Sequence, residues 1–123
     1  MSKKILVVED TEDNRQILRD LLGMAGYEMV EAHDDGAQGV AMAAEHRPDL
    51  ILMDIQMPVL DGYEATRRIK ADPALAAIPI VAVTSYALSG DEAKARAAGC
   101  DDYIAKPYSP RQMLAKVREI LGS

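Results

Sequence analysis

The run Leu50-Ile51-Leu52-Met53-Asp54 constrains this chain more than any other stretch. Four consecutive apolar residues, preceded by Pro48-Asp49 and followed by Met57-Pro58, have no polar face to turn to water. That is the pattern of a short strand buried on both faces, as the centre of a parallel sheet requires. A carboxylate ending such a strand leaves the core at the sheet's carboxyl edge, where loops and helix N-termini converge on ligands. The pattern recurs. Ile5-Leu6-Val7-Val8 runs into Glu9-Asp10, Ile80-Val81-Ala82-Val83 into Thr84-Ser85, and Tyr103-Ile104-Ala105 into Lys106-Pro107. As parallel neighbours, these strands bring three carboxylates, a hydroxyl and an ammonium to one edge.

The stretches between them read as helices. Thr11 caps the first, whose apolar positions are Ile17, Leu18, Leu21 and Leu22 and whose end is marked by Gly26. Glu28-Met29-Val30-Glu31-Ala32 mixes charge with apolar residues and suits an edge strand. Asp35-Gly36 opens a second helix with Ala37, Val40, Ala41 and Ala44 as its apolar stripe. Asp61-Gly62-Tyr63-Glu64 has capping-box spacing for a third, running to about Ala71 before Asp72-Pro73. Ser89-Gly90-Asp91-Glu92 repeats that spacing for a fourth, anchored only by Ala93, Ala95, Ala97 and Ala98 and so the least firmly docked. Ser109, Pro110 and Gln112 start the fifth, with Met113, Leu114, Val117, Ile120 and Leu121 as a wide apolar face.

Strands alternating with helices make an α/β fold: a doubly wound five-stranded parallel sheet, flavodoxin-like order 2-1-3-4-5, with helices on both faces. The switch point then falls between the first and third strands, at Glu9, Asp10 and Asp54. A chain of 123 residues accommodates one domain, residues 1–123. Fourteen Lys and Arg against 20 Asp and Glu, a net charge of −6, argue against direct nucleic-acid binding. The start, Met1-Ser2-Lys3-Lys4, shows no apolar leader, and no run is long enough to span a bilayer, so a cytoplasmic location without a membrane partner is expected. The single cysteine, Cys100, reads as a small buried hydrophobe.

Crowded carboxylates either raise a pKa or bind a cation. An all-oxygen donor set suits a hard ion, and Mg²⁺ fits best because one or two carboxylates leave it positions for water and phosphate oxygens. Lys106 balances phosphoryl charge left uncompensated, and Thr84 offers a hydroxyl. Singly, each feature has an ordinary explanation in a solvated loop or a surface side chain. Convergence of complementary groups from four strand ends gives them a joint meaning.

These residues, Glu9-Asp10, Asp54 within Leu50 to Pro58, Gly62, Thr84-Ser85 and Lys106-Pro107, resemble the receiver domain of two-component response regulators, over essentially the whole chain. The resemblance implies that Asp54 is the phosphoacceptor, taking its phosphoryl group from a histidine kinase or phosphotransfer protein. It implies Mg²⁺ held by Glu9, Asp10, Asp54 and the Gln56 backbone carbonyl, with Thr84 and Lys106 assisting the chemistry. Thr84 and Tyr103 then act as the switch toward a downstream protein target. The family commonly has a cis peptide before the proline of its Lys-Pro pair, which sets the expectation for Lys106-Pro107.

The same resemblance makes the chain a signalling protein that assists its own phosphorylation and dephosphorylation, not an enzyme with a separate substrate. Its end after the fifth helix is like that of single-domain regulators of the cell-cycle and chemotaxis types, the alternative being a module cut from a hybrid kinase. Partner choice is expected on the first helix near Asn14 and Arg15 and on the face of the fourth helix, fifth strand and fifth helix. Tyr86 and Gln56, neither a carboxylate able to orient water, imply slow self-dephosphorylation. A haloacid-dehalogenase-type phosphatase would have a second aspartate where Gln56 stands. A flavin carrier would need to cradle phosphate in Glu9-Asp10-Thr11-Glu12-Asp13, where like charge repels it.

Overall fold

Continuous apolar runs and amphipathic runs of period 3.6 alternate along the chain, and the structure follows them. The computed structural model describes residues 3–32, 35–55, 62–84 and 91–122. Its elements are β1 (Lys4–Val8), α1 (Glu12–Met24), β2 (Glu28–Ala32), α2 (Gly36–His46), β3 (Leu50–Asp54), α3 (Gly62–Ala71), β4 (Ile80–Thr84), α4 (Asp91–Ala98), β5 (Asp102–Ala105) and α5 (Pro110–Leu121). All strand pairs are parallel, in the order β2-β1-β3-β4-β5. β3 and β4 are buried along their whole length, whereas β2 at the edge buries only Ala32.

Alternation along each strand divides the core into two layers. Ile5, Val7, Leu50, Leu52, Val81, Val83 and Ile104 face α1 and α5, meeting Leu18, Leu22, Met113 and Val117. Leu6, Val8, Ile51, Met53, Ile80 and Ala82 face the other way, against Ala43, Ala65, Ile69 and Ala95. The fold class read from the sequence is the one observed.

Several local expectations differ. Ile17 is 52% exposed, and the buried face of α1 is Arg15, Leu18 and Leu22. Apolar periodicity missed this face because an arginine occupies its first position. In α2 the buried residues are Gly36, Gly39 and Ala43, while Ala37, Ala41 and Ala44 are exposed. A Cβ on Gly39 would lie 2.9 Å from both Val8 methyls, so the helix seats on the sheet through a missing side chain that hydropathy does not count. Thr11 occupies the N-cap position of α1 without a side-chain capping bond.

Other ends follow expectation. Gly26, at φ 89°, closes α1: its amide donates to Gly23 O at 3.1 Å and that of Tyr27 to Leu22 O at 3.0 Å, a Schellman pair. Asp35 accepts from the Gln38 amide at 2.9 Å. At α5 Ser109 and Gln112 complete a reciprocal capping box, at 3.1 and 2.7 Å. α4 departs from expectation, since only Ala95 and Ala98 of its four anchoring alanines are buried and Ala93 and Ala97 are exposed. Cys100 is buried, its thiol pushed up by burial. The boxes expected at Asp61 and at Ser89 lie outside the described residues.

β5 is tied to α5 by Asp102, which accepts from Lys116 Nζ at 2.9 Å and from the Tyr103 amide at 2.8 Å. Burial pushes this carboxyl up, but Lys116, the Tyr103 amide and Arg96 outweigh it and hold its pKa below the ordinary 3.8. A depressed folded-state pKa contributes stability above the unfolded value, lost as pH falls through the folded one. Lys116→Met is therefore expected to lower stability at pH 6, by urea unfolding, and the difference from wild type should shrink as pH drops below 3.8.

Candidate phosphoryl and metal site

The carboxyl ends of β1, β3 and β4 and the loop after β5 meet above the sheet, and backbone bonds continue the ladders beyond the strands. The Glu9 amide donates to Ala32 O at 3.0 Å, the Ile55 amide to Val83 O at 3.1 Å and the Lys106 amide to Thr84 O at 2.7 Å. These bonds fix the loop residues relative to one another.

Asp54, the last residue of β3, is 4% exposed, Glu9 is 3% exposed and Thr84 1%, whereas Asp10 faces solvent. One carboxylate oxygen from each of Glu9, Asp10 and Asp54 lies within 4.8 Å of the other two. Mg²⁺ bound at ~2.0–2.1 Å has neighbouring ligands roughly 3 Å apart and opposite ones roughly 4 Å apart. The cluster fits such an ion with small side-chain adjustment or a bridging water. Lys106 reaches in from the loop before α5, its Nζ 3.2 Å from Glu9 Oε1 and 3.7 Å from Asp54 Oδ2. The peptide Lys106-Pro107 is cis, as expected.

Glu9 is held from several sides. Its Oε1 also accepts from Asn14 Nδ2 at 3.1 Å, and its Oε2 from the Thr11 amide at 3.2 Å. Burial alone would raise its pKa, but a hydrogen bond with Asp54, the Lys106 charge and the Thr11 amide leave it below the usual value. Tyr108, just beyond the cis proline, lines a small cavity beside Glu9 and Asp54. Its hydroxyl is pushed up to about 12 by burial and by those two negative charges.

The structure thus brings together Glu9, Asp10, Asp54 and Lys106, with Thr84 at the end of the adjoining β4. Tyr103 sits lower, paired with Ala82 in the β4–β5 register and half-buried against the layer beneath α2, α3 and α4. Gln56, Ser85 and Tyr86 lie outside the described residues. Arg15, expected on a partner surface, instead turns inward: it is 9% exposed and its Nη1 donates to the Glu9 carbonyl at 2.9 Å. Asn14 and Tyr108 escaped the sequence reading as groups of this site. Their signal was position alone, one turn into the helix after the acidic pair and directly after Lys-Pro.

Comparison with known proteins gives the same grouping. The family model of the response regulator receiver domain matches residues 5–118. The polar-differentiation response regulator DivK of Brucella anthropi is 43% identical over 122 residues, covering 99% of this chain and 98% of that protein. Among solved structures, the receiver domain of the sensor histidine kinase PA1611 from Pseudomonas aeruginosa PAO1 has a magnesium ion coordinated in its active site cleft. It superposes with a TM-score of 0.92 at 39% identity, covering all of both chains. The chemotaxis protein CheY4 of Vibrio cholerae superposes with a TM-score of 0.91 at 29% identity, covering 98% of this chain and 100% of that one. A parallel sheet in the order 2-1-3-4-5, an acidic cluster at its switch point and a match over 5–118 agree, and the chain belongs to the response regulator receiver domain family.

Proposed function

We propose that residues 1–123 act as one phosphorylation-driven signalling switch, with Asp54 as phosphoacceptor. The observation that carries this reading is the buried Asp54 carboxylate at the end of the central strand, 3.7 Å from the Lys106 ammonium and within reach of Glu9 and Asp10. An Asp54 oxygen attacks the phosphorus of a phosphohistidine on a partner kinase or phosphotransfer protein. The P–N bond breaks as the P–O bond of an acyl phosphate forms. Asp10 and Asp54, with Glu9, would hold Mg²⁺, which would supply charge neutralisation for the transferring oxygens. Lys106 pairs with a further phosphoryl oxygen, and the Thr84 hydroxyl hydrogen-bonds another. The phosphoryl group adds ~1.5–2 negative charges, and movement of Thr84 toward it gives the Tyr103 ring room to turn inward, altering the face that α4, β5 and α5 offer a downstream protein.

Likeness to DivK over nearly all of both chains supports a regulator of the polar-differentiation type. Among the described residues no helix is long and apolar enough to cross a membrane. A second reading, a receiver module joined to a sensor kinase, is favoured by the likeness to the PA1611 receiver domain. Both share the Asp54 chemistry. Incubation with Mg²⁺ and a small acyl phosphate should add one phosphoryl mass, stable in acid and lost in base. No mass gain with Mg²⁺ present would refute the proposal.

Docking of the phosphohistidine protein is assigned to a groove of about 540 Å³ lined by Asn14, Ile17, Lys106, Pro107 and Tyr108. Exposed Ile17 supplies an apolar anchor in the groove that Lys106 also lines. Ile17→Asp is expected to slow transfer from a phosphorylated partner at least about tenfold, a loss of ~1.4 kcal/mol. Phosphorylation by the small acyl phosphate should stay at the wild-type rate. Equal slowing with both donors would place the defect in the site instead of in docking.

A further inference from the structure

Arg15 places a buried guanidinium against three groups at once. Its Nη1 donates to the Glu9 carbonyl at 2.9 Å, its Nη2 pairs with the Glu12 carboxylate, and its Nε lies 3.4 Å from Glu31 Oε1. The two carboxylates do not depend on it. Arg19 also binds Glu31, through Nε at 3.0 Å and Nη2 at 2.6 Å, and its Nη2 lies 3.5 Å from Glu12 Oε1. The Glu9 carbonyl has a different standing. The β1–β2 ladder ends at the pair Val8 and Ala32, the Glu9 amide extends it by one bond to Ala32 O, and among the described residues it is Arg15 that donates to the Glu9 carbonyl.

That carbonyl belongs to the same planar unit as the Asp10 amide. Holding its oxygen, while the Glu9 amide is held by Ala32 O at 3.0 Å, fixes the plane from which Asp10 departs. We propose that Arg15 is a positioning residue for the divalent-cation site, setting the direction in which Asp10 presents its carboxylate. This rests on the reading of Glu9, Asp10 and Asp54 as a Mg²⁺ site. Without the guanidinium, the Glu9 carbonyl loses its charged donor, the peptide plane is free to rotate, and the site must order Asp10 on binding.

The test compares Arg15→Met with Arg19→Met, since each removes one guanidinium from the Glu12 and Glu31 cluster but only Arg15 touches the Glu9 carbonyl. Mg²⁺ affinity is measured by titration calorimetry and stability by thermal unfolding. Both variants should lose stability, and Arg15→Met alone should bind Mg²⁺ on the order of tenfold more weakly, the scale typical of groups that orient metal ligands. Should Arg15→Met fail to fold, Arg15→Lys serves in its place: its single ammonium is drawn to the carboxylates, leaving the carbonyl without its guanidinium donor, and Mg²⁺ affinity should still fall severalfold. Wild-type affinity in the folded Arg15 variant, or an equal loss in Arg19→Met, would overturn the role of Arg15. A wild-type chain that does not bind Mg²⁺ would overturn the metal reading beneath it.

Discussion

Gly62→Ala is expected to destabilise the protein by roughly 2–4 kcal/mol, more than the ~1–3 kcal/mol usual for overpacking a core, because backbone stands in the way. A Cβ at position 62 would lie 2.5 Å from the Asp54 carbonyl oxygen and 2.8 Å from Ile55 Cα. Neither atom can swing aside, since Asp54 ends a strand hydrogen-bonded on both sides and the Gly62 amide itself donates to Ile55 O at 3.1 Å. α3 must retreat, loosening buried Ala65 and Ile69 and shifting the backbone that carries the acceptor. Gly26→Ala is the control. It has a positive φ of 89° but open space around it, so it should cost only ~1 kcal/mol. Urea unfolding of the two variants decides: a Gly62→Ala loss no larger than that of Gly26→Ala would show that the close approach at Asp54 is not constraining.

Asp54→Asn is expected to abolish phosphoryl uptake and the stabilisation of the fold by Mg²⁺. A ligand that binds only the folded state stabilises it by about 1.4 kcal/mol at ten times its dissociation constant. The wild-type unfolding midpoint should therefore climb steadily with Mg²⁺, and that of Asp54→Asn should stay flat over the same range. Without Mg²⁺ the order reverses. One charge leaves a cluster whose three carboxylate oxygens lie within 4.8 Å of one another, and the variant should unfold at a higher temperature than wild type. A wild-type response to Mg²⁺ retained in Asp54→Asn would place the ion elsewhere.

The sheet and the edge that carries the site were legible because both rest on residue type repeated along strands. A run such as Leu50 to Met53 has few alternatives to a central buried strand, and four such runs ending in complementary polar groups locate the site without any helix being placed correctly. Helix faces were less legible for a common reason: burial there does not follow hydropathy. Arg15 is buried because carboxylates and a carbonyl receive it, and Gly39 because a helix needs to approach Val8 closely. Ile17 was misplaced as a consequence, and the structure leaves it exposed in a groove that Lys106 also lines instead of in the core. Asn14 and Tyr108 carry no distinctive pattern, since each gains its meaning from where the chain returns in space.

Reductive trapping tests the assignment of Asp54 most directly. Borohydride converts an aspartyl phosphate to the corresponding alcohol, homoserine, and leaves free carboxylates unchanged, so peptide mass mapping after phosphorylation reads out the position of the acyl phosphate. The expected result is homoserine at position 54 alone, dependent on Mg²⁺ and absent when the donor is omitted. Conversion at Asp10, Glu9 or any other carboxylate with Asp54 untouched would contradict the account.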